Sequence, residues 1–316
     1  MVTPLRIVFF GTPEFAVPTL EALQTSSHQV VSVVTQPDRP RGRGQQLTPG
    51  PVKARAVAMG LPVLQPPSLK DSAVLAALTE LRADLGVVAA YGKILSEAIL
   101  QIPRLGMINV HASLLPKYRG AAPIQRAVAD GESETGVTIM QVVRALDAGA
   151  MLATVRRPIG PNDTSIEVEH DLARLGARLL VDVVDRFSSG PLAGEPQDDS
   201  RATYAHRLTK EDGLIDWARP AQAIHDLVRG MQPWPNAYSF LEGQRLILLR
   251  TTVGPASGAA VPGTVLRARG QDLLVATENG TLRVHELQAE GRRPMAVAPF
   301  LAGHPVTEGS RFTSSG

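Results

Sequence analysis

The sequence predicts an α/β chain: a mostly parallel sheet covered by helices in the N-terminal part, then a small antiparallel β-barrel. Three observations carry this. Short apolar runs alternate with stretches of helical spacing from Leu5 to Phe187. A turn-rich stretch of low apolar content follows, from Ser188-Ser189-Gly190-Pro191 to Asp198-Asp199-Ser200. Five short β-like runs then occupy about a hundred residues. The expected division is a domain over 1–188, a linker over 189–206 and a second domain over 207–316. A chain of 316 residues suits two cores better than one.

The elements follow in order. Leu5–Phe10 is an apolar run ending in Gly11-Thr12-Pro13, which reads as a buried strand and a turn. Phe15, Leu20 and Leu23 give Glu14–Leu23 a helical spacing, and Val30–Val34 is a second strand. Residues 36–55 carry Pro37, Pro40, Pro49 and Pro51 with Gly42, Gly44 and Gly50 between them. Such a stretch is expected to be a long exposed loop, neither helix nor strand. A helix near Ser72–Arg82 precedes strands at Leu85–Ala90, Met107–Val110 and Val137–Val143. Thr164-x-x-Glu167 is a capping-box signature. Behind it Val168, Leu172, Leu175, Leu179, Val183 and Phe187 form an apolar stripe at steps of three and four. In the second domain Ala221–Met231 reads as a helix. The strands are expected at Ala237–Leu241, Arg245–Arg250, Gly263–Arg269, Asp272–Thr277 and Gly280–Leu287.

Composition excludes several classes of function. Without cysteine there is no disulfide, no thiolate nucleophile and no zinc–sulfur site. Hydrophobic content of 44% with 20% charged residues is that of a globular chain, not a disordered one. Aromatic content of 4% leaves little for a broad base-stacking platform. The longest apolar runs fall far short of the ~20 residues a membrane span needs. Met1–Arg6 has no export-signal pattern, so a soluble cytoplasmic chain is expected. The net charge is only +2, but it is unevenly placed. Residues 1–205 balance at zero, while 36–55 hold Arg39, Arg41, Arg43, Lys53 and Arg55 against Asp38 alone. That cluster is the place for an electrostatic contact with a polyanion.

Familiar phosphate and metal motifs fail. Gly11-Thr12-Pro13 lacks the further glycines of a dinucleotide fingerprint, and Pro13 removes a donor. Gly86…Gly92-Lys93 has the wrong spacing for a phosphate loop, and Ile94 stands where a hydroxyl is needed. No metal-spaced cluster and no Gly-x-Ser-x-Gly appears, so no metal is expected. Asn109-Val110-His111 is different. It ends a strand, where parallel sheets bind ligands, and period two puts Asn109 and His111 on one face. An amide donor can stabilise an oxyanion, and an imidazole moves protons near neutral pH. Asp147, in Leu146-Asp147-Ala148-Gly149, is placed to enter the same crevice and orient His111.

Asn109-Val110-His111-x-Ser-Leu-Leu-Pro-x-Tyr-Arg-Gly-Ala-Ala-Pro-Ile, with Leu146-Asp147-x-Gly149, resembles the folate-dependent formyltransferases. Phe10–Ala16, Thr35–Gly44, Gly136–Met140, Gly291–Met295 and Phe300–Gly303 are similar to the branch of that family that formylates initiator methionyl-tRNA. The resemblance spans residues 5 to about 303. It implies a Rossmann-like formyltransferase domain followed by an OB-fold-like β-barrel. It also implies 10-formyltetrahydrofolate as formyl donor and the acceptor stem of initiator methionyl-tRNA as RNA partner. On this resemblance Asn109, His111 and Asp147 are the expected catalytic set. Tyr91, Gly92, Ile94 and Leu95, with Ser113, Leu114, Leu115 and Pro116, are the expected folate contacts. Arg39, Arg41 and Arg43, with Arg292 and Arg293, are the expected tRNA contacts. A monomer is expected. The same catalytic set would serve formyl transfer to another amine or hydrolysis of the donor. The segment departs from the family's usual Gly-Leu-Asp-x-Gly-Asp-Met at Ala145 and Ala150.

Overall fold

Around β1 (Arg6–Gly11) the first sheet is built, in a computed structural model that describes residues 3–41, 46–256 and 258–315. Ile7, Val8, Phe9 and Phe10 are all buried, which explains a strand apolar on both faces. It pairs in parallel with β2 (Gln29–Val34) on one side. Outside β2, the short strand over Val63–Leu64 closes that edge. On the other side of β1 lie Leu85–Ala89 and then Met107–His111, both parallel. Two antiparallel strands, Glu134–Gln141 and Met151–Pro158, complete the sheet.

Numbered along the chain, the strands include a ribbon formed by β3 (Arg39–Arg41) and β4 (Gln46–Thr48). The sheet strands after it are β5 (Val63–Leu64), β6 (Leu85–Ala89), β7 (Met107–His111), β9 (Glu134–Gln141) and β10 (Met151–Pro158). Between them, β8 (Arg119–Gly120) pairs with β11 (Tyr204–Ala205) apart from the sheet. The sheet order is β10-β9-β7-β6-β1-β2-β5. The helices are α1 (Val17–Thr25), α2 (Pro51–Ala58), α3 (Ser72–Glu80), α4 (Glu97–Leu100), α5 (Pro123–Ala129) and α6 (Ser165–Phe187). Leu78 of α3 and Ile99 of α4 share a core with Val8, Phe10 and Met107 on one face of the sheet. On the opposite face α6 comes close enough that a Cβ at Gly176 would lie 2.9 Å from Val110. Asn109 and His111 therefore share the face of Met107, away from α6.

Two compact units emerge. The first holds 1–123, 134–158 and 169–205; the second holds 124–133, 159–168 and 206–316. The expected linker is not free chain. Met151 and Glu195 exchange two backbone hydrogen bonds of 2.8 Å, and β11 lies against β8, so residues 195–205 are part of the first unit. The expected loop 36–55 is likewise ordered in part. Arg39–Arg41 and Gln46–Thr48 form an antiparallel ribbon, and Pro51 opens α2 at a position where its missing N–H costs nothing. The capping box forms as read, with the Thr164 amide donating to Glu167 at 2.8 Å.

In the second unit α7 (Ala221–Gly230) precedes a curled antiparallel sheet. Its strands are β12 (Ala237–Leu241), β13 (Gln244–Gly254), β14 (Val265–Arg269), β15 (Asp272–Ala276) and β16 (Thr281–Ala289). The short β17 (Met295–Ala296), α8 (Val297–Gly303) and β18 (Phe312–Thr313) follow. The order is β14-β15-β16-β13-β12-β18. Residues beside β18 bond back toward β14, through Val265 N to Ser310 O at 2.8 Å and Phe312 N to Gly263 O at 2.9 Å. The ends of the sheet thus approach closure, as the five predicted strands require.

Candidate active site

β7 delivers Asn109, half-buried, and His111, buried, at its C-terminal end. His111 Nε2 lies 3.0 Å from the carbonyl of Tyr118. A carbonyl only accepts, so Nε2 carries the proton and Nδ1 holds the lone pair in the neutral ring. Nδ1 faces the Asp147 carboxylate at 3.7 Å. Asp147 has φ +46°, a left-handed conformation that an aspartate tolerates better than most residues. Its carboxylate accepts from the Gly120 amide at 2.9 Å.

The loop after His111 is pinned at several points. Thr138 on β9 accepts from the Leu115 amide and donates to the Ser113 carbonyl. The Ser113 hydroxyl donates to the Lys117 carbonyl at 2.6 Å. The Tyr118 amide donates to Thr203 at 2.8 Å. One bond that closes the turn after Asp147 is backbone to backbone: the Gln141 amide donates to the Ala150 carbonyl at 2.9 Å. That bond uses only the backbone of Ala150, where the family's pattern has an aspartate, and Ala145 sits exposed in the turn. Gly149 is obligatory, because a Cβ there would lie 1.8 Å from the Gln141 carbonyl oxygen.

Two residues outside every motif, Gln197 and Thr203, join Arg119 of the quoted motif around these groups. Gln197 donates from Nε2 to the carbonyls of both Asp147 and Gly149, each at 2.8 Å. Its Oε1 accepts from Nε and an Nη of buried Arg119, at 3.0 and 2.8 Å. Thr203 holds Tyr118, whose carbonyl holds His111. No motif marked Gln197 or Thr203, because their partners are dozens of residues away in sequence.

The expected folate residues divide. Ile94 is 90% exposed, an unusual position for a large apolar side chain. Leu95 is half-buried and packs on the core cluster beneath α3 and α4. Val142 packs on the same cluster, while Val143 and Leu146, next to Asp147, are exposed. Exposed apolar side chains thus accompany both the 92–95 and the 142–147 turns. The Tyr91 ring does not join them. It is buried edge-on to Phe10, with centroids 5.5 Å apart, and burial pushes its phenol up to about 12. What Tyr91 offers is its carbonyl, which accepts from Thr12 at 3.1 Å and Gln36 at 2.8 Å. Gly92, with φ +79°, leaves room for that Gln36 amide. Of the 113–116 stretch, Ser113 and Leu115 are buried, and Leu114 and Pro116 are half-buried.

The basic segment divides too. Lys53 donates to Asp38 at 2.5 Å and Arg55 pairs with Glu21, so neither is part of a free basic loop. The Lys53 ammonium and then Gln65 hold the Asp38 carboxyl below the usual carboxylate range. Arg39 donates to Gln36 at 3.0 Å. Arg41 lies in the ribbon, and Arg43 falls outside the described residues. Thr12, Gln36, Arg39, Thr48 and Gly50 border a cavity of about 290 Å³ beside the ribbon. Arg292 and Arg293 are exposed in a turn of the second unit. No metal-holding cluster of His, Asp and Glu occurs among the described residues.

The sheet carries an Asn–x–His pair at a strand end with an aspartate facing it, and the chain around them matches a formyl transferase. The family model of that description matches residues 5–184, and the formyl transferase C-terminal domain matches 207–305. Relatives narrow this further. A methionyl-tRNA formyltransferase of Geotalea uraniireducens is 47% identical over 306 residues, covering 97% of each chain. One from Pseudomonas fluorescens is 51% identical over 295 residues, 93% of this chain and 92% of its own. The chain belongs to the methionyl-tRNA formyltransferase family.

Solved structures agree on the fold. HypX from Aquifex aeolicus, in complex with tetrahydrofolic acid, matches 97% of this chain with a TM-score of 0.66 at 16% identity. The chain spans about half of HypX, 49% of its length. An N-formyltransferase from Helicobacter canadensis, with folinic acid and dTDP-3-aminofucose, matches 91% of this chain and 100% of its own, again at a TM-score of 0.66 and 16% identity.

Proposed function

We propose that this chain transfers the formyl group of 10-formyltetrahydrofolate to the α-amino group of initiator methionyl-tRNA, in the cytoplasm and as a monomer. The observation that carries the chemistry is the approach of Asp147 to the lone-pair nitrogen of His111 at 3.7 Å. The relatives at 46–51% identity share one name, which disfavours another acceptor amine or simple hydrolysis.

The amine of the acceptor attacks the formyl carbon and forms a tetrahedral intermediate. Asn109, on the same face as His111, donates to the oxyanion. Nδ1 of His111 takes the amine proton, while Nε2 keeps its own proton on the Tyr118 carbonyl. The imidazolium so formed is paired with Asp147, which stays charged. The proton then passes, through water, to the folate nitrogen that leaves. No covalent enzyme intermediate is needed. Holding amine and donor together supplies much of the rate.

The folate lies against Ile94, Leu95 and Gly92 on one turn and Leu114–Pro116 on the other. Exposed Val143 and Leu146 extend that apolar surface beyond the residues expected from sequence. The acceptor end of the tRNA meets Arg39, Arg41 and Arg43, and Arg292 and Arg293 add phosphate contacts from the second unit.

The test is a formylation assay with 10-formyltetrahydrofolate and charged initiator tRNA, with uncharged initiator and charged elongator methionine tRNA as controls. Product is expected from the charged initiator alone. Equal product from the elongator would remove the initiator from the assignment, and formate release without acceptor would turn it into a hydrolase.

A further inference from the structure

The geometry points to Gln197 as a positioning residue for Asp147: its carboxamide, oriented by buried Arg119, holds the turn that aims the carboxylate at His111. This rests on the proposed role of Asp147 and deepens it.

The orientation of the amide is decided by its neighbours. Arg119 can only donate, and two of its N–H groups reach Oε1 at 3.0 and 2.8 Å. The NH₂ end must then point the other way, where both of its hydrogens are used at 2.8 Å, one on Asp147 O and one on Gly149 O. A charged donor on the oxygen polarises the amide and strengthens what its nitrogen donates. The two carbonyls flank Ala148, so one side chain staples the turn in which Asp147 holds its left-handed φ of +46°. That conformation is disfavoured for a residue with a Cβ and persists only where its surroundings over-determine it. Gln197 supplies the backbone restraint and the Gly120 amide supplies the side-chain restraint.

The position of Gln197 is itself secure without its side chain. Glu195 is bonded to Met151 through two backbone hydrogen bonds, and β11 is paired to β8. Arg119 also pairs with Asp199 at 2.7 Å. Replacing Gln197 should therefore leave the segment in place and free only the turn.

The experiment measures kcat and both KM values for Gln197→Leu, Gln197→Glu, Asp147→Asn and the Gln197→Leu/Asp147→Asn pair. The glutamate keeps the acceptor for Arg119, and so keeps the fold, but cannot donate to the two carbonyls. Both single Gln197 variants are expected to lose kcat by on the order of tenfold to a hundredfold, the cost of a small misplacement at a reacting centre. Both KM values should stay near those of the parent. In the Asp147→Asn background Gln197→Leu should add little, because there is no carboxylate left to aim. Normal kcat in Gln197→Glu overturns the inference, as does a full multiplicative loss in the double variant. Asp147→Asn with undiminished kcat would instead sink the role of Asp147 itself, and the inference with it. Loss in Asp147→Asn alone, with both Gln197 variants normal, removes Gln197 and leaves the dyad.

Discussion

The turn around Asp147 and the ribbon at Arg39–Thr48 are both short excursions from the same sheet, and they are held in opposite ways. Asp147 is fixed at its carboxylate by the Gly120 amide and at its carbonyl by Gln197. Its neighbour Gly149 is wedged against Gln141. The ribbon is tied at its base, where Asp38 accepts from Lys53 and Gln65 and Arg39 donates to Gln36. Chemistry needs groups placed to a fraction of an ångström before the substrate arrives. Gripping a polyanion needs charge in the right region, and its geometry can be settled by the partner. The difference predicts different kinetic signatures: changes at the pinned turn should lower kcat, and changes at the ribbon should raise the KM for tRNA.

The largest effect is expected from His111→Ala. Losing the base should cost roughly a thousandfold or more in kcat, within the usual range for general acid–base groups. Single-turnover formylation with both substrates saturating measures this without interference from binding. Asp147→Asn comes next, at about a hundredfold, since the imidazolium would lose its charge partner but keep Nε2 on Tyr118. If His111→Ala retained robust turnover, the pinned turn would be scaffolding and the contrast between the two regions would collapse.

Arg43→Ala and Arg39→Ala test the other side. Each should raise the KM for charged tRNA several-fold and reduce the salt slope of binding by about one counterion, with kcat at saturation little changed and, for Arg43→Ala, folate affinity little changed too. The two need not be equal. Arg39 also leans on Gln36, which in turn donates to the Tyr91 carbonyl, so its loss reaches the folate side as well. A fall in kcat without a change in KM for Arg43→Ala would place that arginine in the chemistry.

What could be read from sequence followed the same divide between local and distant causes. β12 matched its expected bounds because alternation is a local pattern, and the capping box of α6 formed because its two residues are one turn apart. The stripe on α6 was read a little off axis: Leu175 and Leu179 are half-buried, while Ala173, Ala177 and Leu180 are buried. The ribbon and α2 depart from the expected loop because proline excludes neither. Pro40 sits in a two-stranded ribbon, and Pro51 begins a helix. β10 carries Arg156 and Arg157 on an edge and shows little apolar run. The approach of Asp147 to His111 agrees with what the long motifs lead one to expect, but no motif points to Gln197. Its partners lie 50 and 78 residues away, and it falls in a stretch whose composition suggests only a linker. The burial of the Tyr91 ring is hidden for a related reason: a motif marks a position, not which end of the residue is used.

The smallest effect, and the one that most directly tests how loosely the ribbon is held, concerns Asp38. Its carboxyl titrates below the usual value because Lys53 and then Gln65 bond to the charged form. A carboxyl depressed on folding adds order that is present above its unfolded value and is lost as pH falls through the folded one. The base of the ribbon should therefore be unchanged from pH 8 to 5 and loosen only below about pH 4. Asp38→Asn should produce at neutral pH the loosening that the parent chain shows only in acid. Hydrogen exchange at the amides of Arg39, Arg41, Gln46 and Thr48 reads this directly, with the amides of β1 as an internal control. Faster ribbon exchange with kcat intact would show that the grip on tRNA can soften while the turn at Asp147 stays set. Unchanged exchange in Asp38→Asn would mean that the antiparallel ladder alone holds the ribbon, and the two excursions would then differ less in rigidity than in charge.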